Sequence, residues 1–383
     1  RAVEERAGPL VVKPGWDKDL HVRRTIVSAD GKKMLVYDGR RLVFFDGLGG
    51  DARPVAQAGC SKQKVIASKQ GRYVVLYTQF IGSDGVVRIF GSSGRKVGEF
   101  YLGTWWTVTG VSDRGPLVSI KQQGMDYLLR GAELRDANGN ILKSHDRGAR
   151  DSAWYRFARD GTVYVVGRKA RGGPYVSLLE AEAKTIATRE FPDREFDPGS
   201  VGLDTSTKRF FLMTRPRITK GGYSPPDQVH IWDTRTDGVR VIPIETGGLG
   251  SVQSGIYLSP DGAYVAFRVG ADALMLIRTS DGAVLFRKRP GGVLPGGESF
   301  RKFMDLTVMD DGTIVALGLC FGGDENERGY CIITREGEAI RAVKWKGLKW
   351  MQRLTSGRVA LADSDGRVQV VPPPKGSAPE VPR

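Results

Sequence analysis

The sequence predicts an all-β chain in which one four-stranded unit recurs eight times around a ring. Three observations predict it. A polar corner containing glycine, followed by an apolar run, recurs along the chain; LSPDGAYVAFRV, Leu258 to Val269, is one copy. Glycine is abundant, at 51 of 383 residues, and evenly spread, which points to many tight turns rather than a linker or a collagen-like tract. No segment holds a helical period for more than about two turns. The best helical candidate, LLEAEAKTIA at Leu178, falls where the repeat requires a corner between two strands.

Taken in chain order, the copies are SADGKKMLVYD at Ser28, SKQGRYVVLYT at Ser68, SDRGPLVSIK at Ser112 and ARDGTVYVVG at Ala158. LDTSTKRFFLM follows at Leu203, then LSPDGAYVAFRV, MDDGTIVALG at Met309 and LTSGRVALAD at Leu354. Their corner positions are Gly31, Gly71, Gly115, Gly161, Thr207, Gly262, Gly312 and Gly357, separated by 40, 44, 46, 46, 55, 50 and 45 residues. That is the period of a four-stranded propeller blade. A second corner follows within most copies, as in GSSGRKVGEF, DANGNILKS, TSDGAVLFRK and TREGEAIRAV. Each places Gly, Asn or Asp between β-formers, which is a hairpin signal. The unit is therefore a meander of strands A, B, C and D. Strands B and C are apolar on both faces (YVAFRV, ALMLIR), which requires packing on both sides, and blades stacked around an axis supply it.

Eight corners imply eight blades, with seven as the alternative if the terminal copies merge. The last copy has three strands before the Pro-rich end VPPPKGSAPEVPR, and PLVVKP, Pro9 to Pro14, is free to supply the fourth. Pairing the two ends would close the ring and remove its open edge. The expected domains are an N-terminal extension at 1–8, a single β-propeller at 9–374 and a C-terminal tail at 375–383. The SPDG-type corners and VHIWDTRTDGVRVIP, with its Trp232-Asp233 pair, resemble the β-propellers of the WD40-like and TolB-like group. A glycine at the C–D corners is similar to BamB-like and quinoprotein propellers, although the tryptophan docking motif of the quinoproteins and the Gly-His of WD40 repeats are missing.

Formal net charge is +15, and 40% of residues are hydrophobic. The charge favours anionic partners: an acidic protein surface first, with nucleic acid or an acidic glycan as alternatives. No window approaches 18 consecutive apolar residues, so no transmembrane helix is expected. The chain begins at Arg1 rather than Met, and processing or trimming is the expected reason.

Chemical motifs are sparse. His21, His145 and His230 stand far apart, with none of the paired spacings that bring ligands to a metal. GSVQSG at Gly250 has the wrong spacing for a nucleophile elbow, and neither a phosphate loop nor a dinucleotide fingerprint occurs. Propeller enzymes with an axial metal need carboxylates along strand A, and RRTIVS, VIAS, TGVS, WYRFA, GIYLS and LTVM carry none. The acidic run DENE at Asp324 lacks the alternating ligand order of a calcium loop. No catalytic residue, metal or cofactor is expected, and an enzyme with an axial metal-dependent site stands as the alternative.

Cys320 ends strand B of blade 7, and Cys331 lies in strand C across the loop FGGDENERGY. If the hairpin sets them opposite one another, a disulfide is within reach and would stabilise by about 3 kcal/mol. Such a bridge favours an extracytoplasmic location, periplasmic, outer-membrane-associated or secreted, over a cytoplasmic one. Cys60 is then left over.

In a propeller the A–B and C–D corners share one face, and the B–C and D–A connections share the other. Here the A–B corners are short, while length falls on the other face: RPRITKGGYSPPDQ, FGGDENERGY, YLGTWWTV and KRPGGVLPGGESFRK. Variable loops on a rigid scaffold carry binding. The candidate partner-binding set is therefore Arg168, Lys169 and Arg171 in blade 4, Arg215, Arg217 and Lys220 in blade 5, with Tyr223 and Trp105 as aromatic anchors. Trp106 is expected to pack between blades. The function expected is a non-catalytic scaffold for protein–protein contacts within a cell-envelope or extracellular assembly.

Overall fold

A computed structural model of the chain describes residues 22–48, 53–59, 63–78, 85–123, 129–145, 152–169, 173–180, 183–192, 194–196, 200–216, 227–245, 252–253, 255–270, 272–289, 300–320, 327–354 and 357–371. Their strands form eight antiparallel meanders in chain order, spanning 24–59, 64–102, 106–145, 152–190, 201–243, 257–288, 300–344 and 348–371. Blades 1 to 7 have four strands each, and blade 5 has an extra two-residue strand, Arg194–Glu195, against the end of its strand B. Blade 8 shows three strands. The segment expected to add its fourth, Pro9 to Pro14, lies outside the described residues.

The Gly-containing corners behave as the repeat implies. Gly31, Gly71, Gly161, Gly262, Gly312 and Gly357 all have φ between 67° and 86°, a region that a Cβ penalises. At the corner of LSPDGAYVAFRV, Gly262 N donates to Ser259 O, while Asp261 Oδ1 accepts from Ala263 N at 3.0 Å and from Ser259 Oγ at 2.6 Å. Asp261 is thus an Asx-turn former, and Asp30, Asp160 and Asp311 accept in the same way from Lys32 N, Thr162 N and Thr313 N. Two corners differ. In blade 5 the left-handed residue is Lys208, at φ 54°, one position after Thr207. In blade 3 Ser112 N bonds Leu117 O, and no residue of that corner, Gly115 included, has a positive φ. The segment at Leu178 is a C–D corner, with Ala183 N bonding Glu180 O between strands Pro174–Leu179 and Thr185–Glu190.

Side-chain parity explains why strands B and C of most blades, blade 3 excepted, are apolar on both faces. In blade 6, Val265, Phe267, Val269, Ala273, Met275 and Ile277 pack against blade 5. The residues between them, Ala266, Leu274 and Leu276, pack against blade 7. Eight such cores join successive blades, and one of them joins blade 1 to blade 8 through Val27, Met34 and Val36 against Leu354, Ala360 and Val368. The ring is closed by apolar packing. Val22 belongs to that closing core and lies 3.2 Å from the Cβ position of Gly366. Trp232 fills the core between blades 4 and 5, stacked on Phe210 with its indole N–H donating to Asp237 Oδ1 at 2.8 Å. The D strands form the rim, and among the described residues every exposed large apolar side chain, Tyr101, Ile141 and Ile340 included, lies on one.

The expected facing of Cys320 and Cys331 is corrected by the ladder. Cys331 lies opposite Ala316, and Leu319 opposite Arg328. The two cysteines are therefore four residues out of register, about 13 Å along the strand, beyond the roughly 7 Å Cα limit of a disulfide. The hairpin loop is shorter than FGGDENERGY on the C side, because strand C begins at Arg328.

Gly262→Ala is expected to destabilise the native state by roughly 1–3 kcal/mol in urea titrations. The added Cβ would stand 2.6 Å from Asp204 Oδ2 of blade 5, at a φ that L-residues resist. A midpoint unchanged from the native chain would contradict this account of the corner.

Candidate functional site

Blades 4 and 5 meet on the loop face around a cavity of about 300 Å³ lined by Trp154, Val166, Arg168, Glu195, Phe196 and Arg215, among others. Arg168 ends strand B of blade 4 (Val163–Arg168), and Arg215 lies near the end of strand B of blade 5 (Arg209–Pro216). Equivalent strand ends in neighbouring blades converge at this wedge, so two of the candidate basic residues share one cavity. Strand Arg194–Glu195 pairs Glu195 opposite Arg215 and brings its carboxylate into the same wedge. Arg168 Nη2 donates to Glu195 Oε1 at 3.2 Å, and Arg215 Nη2 donates to Val252 O at 2.9 Å while its Nε stands 3.8 Å from Asp227. Burial raises the Asp227 carboxyl above its ordinary value, against the pull of Arg215 and Arg194. Lys169 is ion-paired with Glu190 of strand D.

The cations expected to form a bare basic patch thus already hold carboxylates where they are described. Exposed pairs of this kind are worth about 0–1 kcal/mol, so an incoming acidic group could exchange with them at little cost. Arg171, Arg217, Lys220 and Tyr223 lie outside the described residues. Trp105 stands apart from this wedge, in the turn between blades 2 and 3, half-buried at φ 72°. Trp106 packs on the core between those blades, as expected.

A second region was missed from sequence. A cavity of about 740 Å³ lies on the axis among the A–B corners, lined by Lys69, Arg159, Asp305, Asp310, Gln352 and Arg353, among others. A further cavity of about 420 Å³ lies along the first strands of blades 2 to 4, lined by Lys64, Lys121, Trp154 and Arg156 among others. Strand A of blade 4, Ser152–Phe157, sends Ala153, Tyr155 and Phe157 into the core against blade 3, which leaves Trp154 and Arg156 for the channel. Lys69 and Arg159 occupy the same corner position in blades 2 and 4, directly after Ser68 and Ala158. Arg159 crosses the axis: its Nη2 donates to Leu354 O of blade 8 at 3.2 Å, and Gln70 Nε2 donates to Arg159 O at 2.7 Å.

Charge of both signs lines the larger cavity, Lys69, Arg159 and Arg353 with Asp160, Asp204, Asp305 and Asp310, while the lining of the smaller one holds Lys64, Lys121 and Arg156 and no carboxylate. Lys69 keeps contact with water but is ringed by protein, and that surrounding, with Arg156 and Arg159 nearby, pulls its ammonium below the ordinary lysine value despite Asp113. Burial likewise lowers Arg159, with Arg353 adding to it, and lowers Arg353 itself. Arg353 is neutralised by Asp310 at 3.0 Å. Asp113 is occupied by the backbone N–H of Gln70 at 2.8 Å and of Arg72 at 3.4 Å. The face expected to be the quieter one therefore carries the larger axial cavity.

This architecture defines an eight-bladed β-propeller, and comparison with solved structures agrees. The chain is similar to BamB from Moraxella catarrhalis, with 14% identity, a TM-score of 0.56, and coverage of 91% of this chain and 98% of that one. It is also similar to Sqt1 from Saccharomyces cerevisiae, with 11% identity, a TM-score of 0.53, and coverage of 94% and 98%. Dihydro-heme d1 dehydrogenase NirN matches at 14% identity and a TM-score of 0.53, over 85% of this chain and 66% of that one. No family model matches the sequence, and no match is found among curated proteins. At these identities the likeness is one of fold.

Asp305, on the channel wall in strand A of blade 7, is pushed by burial up to about 6, while Leu306 N, which donates to its Oδ1 at 2.9 Å, and Arg268 pull the other way. A carboxyl raised in the folded state stabilises most below its unfolded pKa, near 3.8, and that contribution is lost as pH rises through the folded value. Asp305→Asn should therefore raise stability by about 1–2 kcal/mol at pH 7.5. The gain should shrink between pH 6 and 4 and vanish below. Thermal melts across that range read it, and a pH-independent difference would contradict the assignment.

Proposed function

We propose that the protein is a non-catalytic propeller scaffold that holds a protein partner with an acidic surface on its loop face. The wedge between blades 4 and 5 is the point of contact. The observation that carries this reading is the convergence of Arg168, Arg215 and Glu195 with the apolar surfaces of Trp154 and Phe196 in one open cavity. Arg and aromatic side chains at the centre of a patch, with exchangeable ion pairs around them, are the composition of an interface hot spot. A carboxylate of the partner would replace Glu195 or Asp227 against the two guanidinium groups.

The proposed setting is a cell-envelope or extracellular assembly. Its support is the resemblance to BamB-like propellers, since the cysteine register no longer argues for an oxidising compartment. An enzymatic reading would draw on the likeness to NirN, and that likeness is one of fold alone.

Affinity isolation from the native host tests the reading. The intact chain should retain a stoichiometric protein partner, and the double reversal Arg168→Glu/Arg215→Glu should lose it at least tenfold, with the circular dichroism and melting of the chain preserved. Equal retention by the reversed variant would move the contact elsewhere.

A further inference from the structure

We propose that the axial channel is a binding site for a small oxyanion, a phosphate- or carboxylate-bearing molecule, held by Lys69, Arg156 and Arg159. Four observations converge on it. The channel has room: its two cavities measure about 740 and 420 Å³, against the 300–1,000 Å³ or so of typical small-molecule sites. Across the two cavities six cations, Lys64, Lys69, Lys121, Arg156, Arg159 and Arg353, line the walls against four carboxylates, Asp160, Asp204, Asp305 and Asp310, and the excess lies in the smaller cavity around Arg156. Among the described residues Arg156 has no hydrogen bond or ion pair from its guanidinium, Lys69 has none from its ammonium, and Arg159 spends one N–H on a carbonyl rather than a carboxylate.

The third observation is the set of orphan donors. Arg156 Nε, Arg353 Nε and Gln352 Nε2 are buried without a partner, and all three residues line the two cavities. Gln352 Oε1 accepts from Val27 N at 3.1 Å, which fixes the amide so that its NH₂ is the free end. A buried donor without an acceptor costs about 1–3 kcal/mol, and like charges held together in a confined space repel. An oxyanion relieves both, because it presents several acceptors to converging N–H groups.

The fourth is the scaffold. Lys69, Arg159 and Arg353 come from blades 2, 4 and 8, and the closed ring fixes where those blades stand. Arg159 is held by Gln70 and Leu354 across the axis. The ring fixes the backbone positions from which these cations reach the axis, so the site is partly preorganised for a negative ligand.

Calorimetric titration and thermal melts with inorganic phosphate and with citrate, each against sodium chloride of equal ionic strength, test the site. The expected result is saturable binding of at least one oxyanion, with a rise in melting temperature that chloride does not reproduce. The tighter of the two identifies the ligand as phosphate- or carboxylate-bearing. Lys69→Gln and Arg156→Gln should each weaken binding about tenfold or more, while Arg156→Lys stays within a few-fold and Arg88→Gln, a rim cation paired with Glu99, changes nothing. Without added anion, Lys69→Gln should melt no lower than the native chain, since it removes a repelling charge. Failure of both oxyanions to bind above the salt control, or equal binding by Lys69→Gln, Arg156→Gln and the native chain, would overturn the proposal.

Discussion

The central strands of most blades, Tyr264–Val269 and Ala273–Arg278 among them, have two apolar faces and must bury both. One sheet packed on one layer could satisfy only half of that requirement. A ring of blades satisfies it because the odd residues of a strand enter one inter-blade core and the even residues enter the next, as Phe267 and Ala266 do in blade 6. The same parity holds at the junction of blades 1 and 8, where Val36 packs toward blade 8 and Leu35 toward blade 2. Closure is thus a consequence of side-chain alternation, and it makes the position of every corner and loop depend on all eight cores together.

That rigidity accounts for where chemistry can collect. The interior of each wedge is filled with Val, Leu, Ile and Phe, so charged groups are driven to the two faces, the rim and the axis. On the loop face they neutralise one another in exposed pairs, such as Arg168 with Glu195. At the axis Arg353 pairs with Asp310, but Lys69 of blade 2 and Arg156 and Arg159 of blade 4 have no side-chain ion pair among the described residues. A group of unpaired cations in a confined channel opposes stability, and a ligand that neutralises it would convert this opposition into affinity.

Much of this was legible in the sequence. Asp261 and Gly262 are a turn, as their seven counterparts at blade spacing imply, and the apolar character of YVAFRV and ALMLIR announces two-sided burial. Placing Arg168 and Arg215 on the same face needed only the topology of the meander. Register was not legible: the loop residues FGGDENERGY look symmetric about Cys320 and Cys331, but the ladder begins at Arg328 and separates them. The corner of blade 3 carries a glycine yet uses a different turn, because Gly115 precedes Pro116 and the chain leaves the corner through it. The ion partners of Arg168 and Arg215 lie in other elements, so charge counting overstated the basic patch. The axial cations left a signal that went unread. Once the eight copies are aligned, the residue after the corner's first anchor runs Ala29, Lys69, Asp113, Arg159, Thr205, Pro260, Asp310 and Thr355. Charge recurring at one register position is the mark of an axis lined by side chains.

The central claim is a ring closed by apolar packing, in which no blade is terminal. Hydrogen exchange of the native protein measures it most directly. Amides in the second strands of blades 1 and 8, Lys33–Tyr37 and Val359–Asp363, should exchange as slowly as those of Tyr264–Val269 in blade 6, all through global unfolding. A gradient of protection that falls from the middle blades toward blades 1 and 8 would show an open, end-fraying stack and contradict the account.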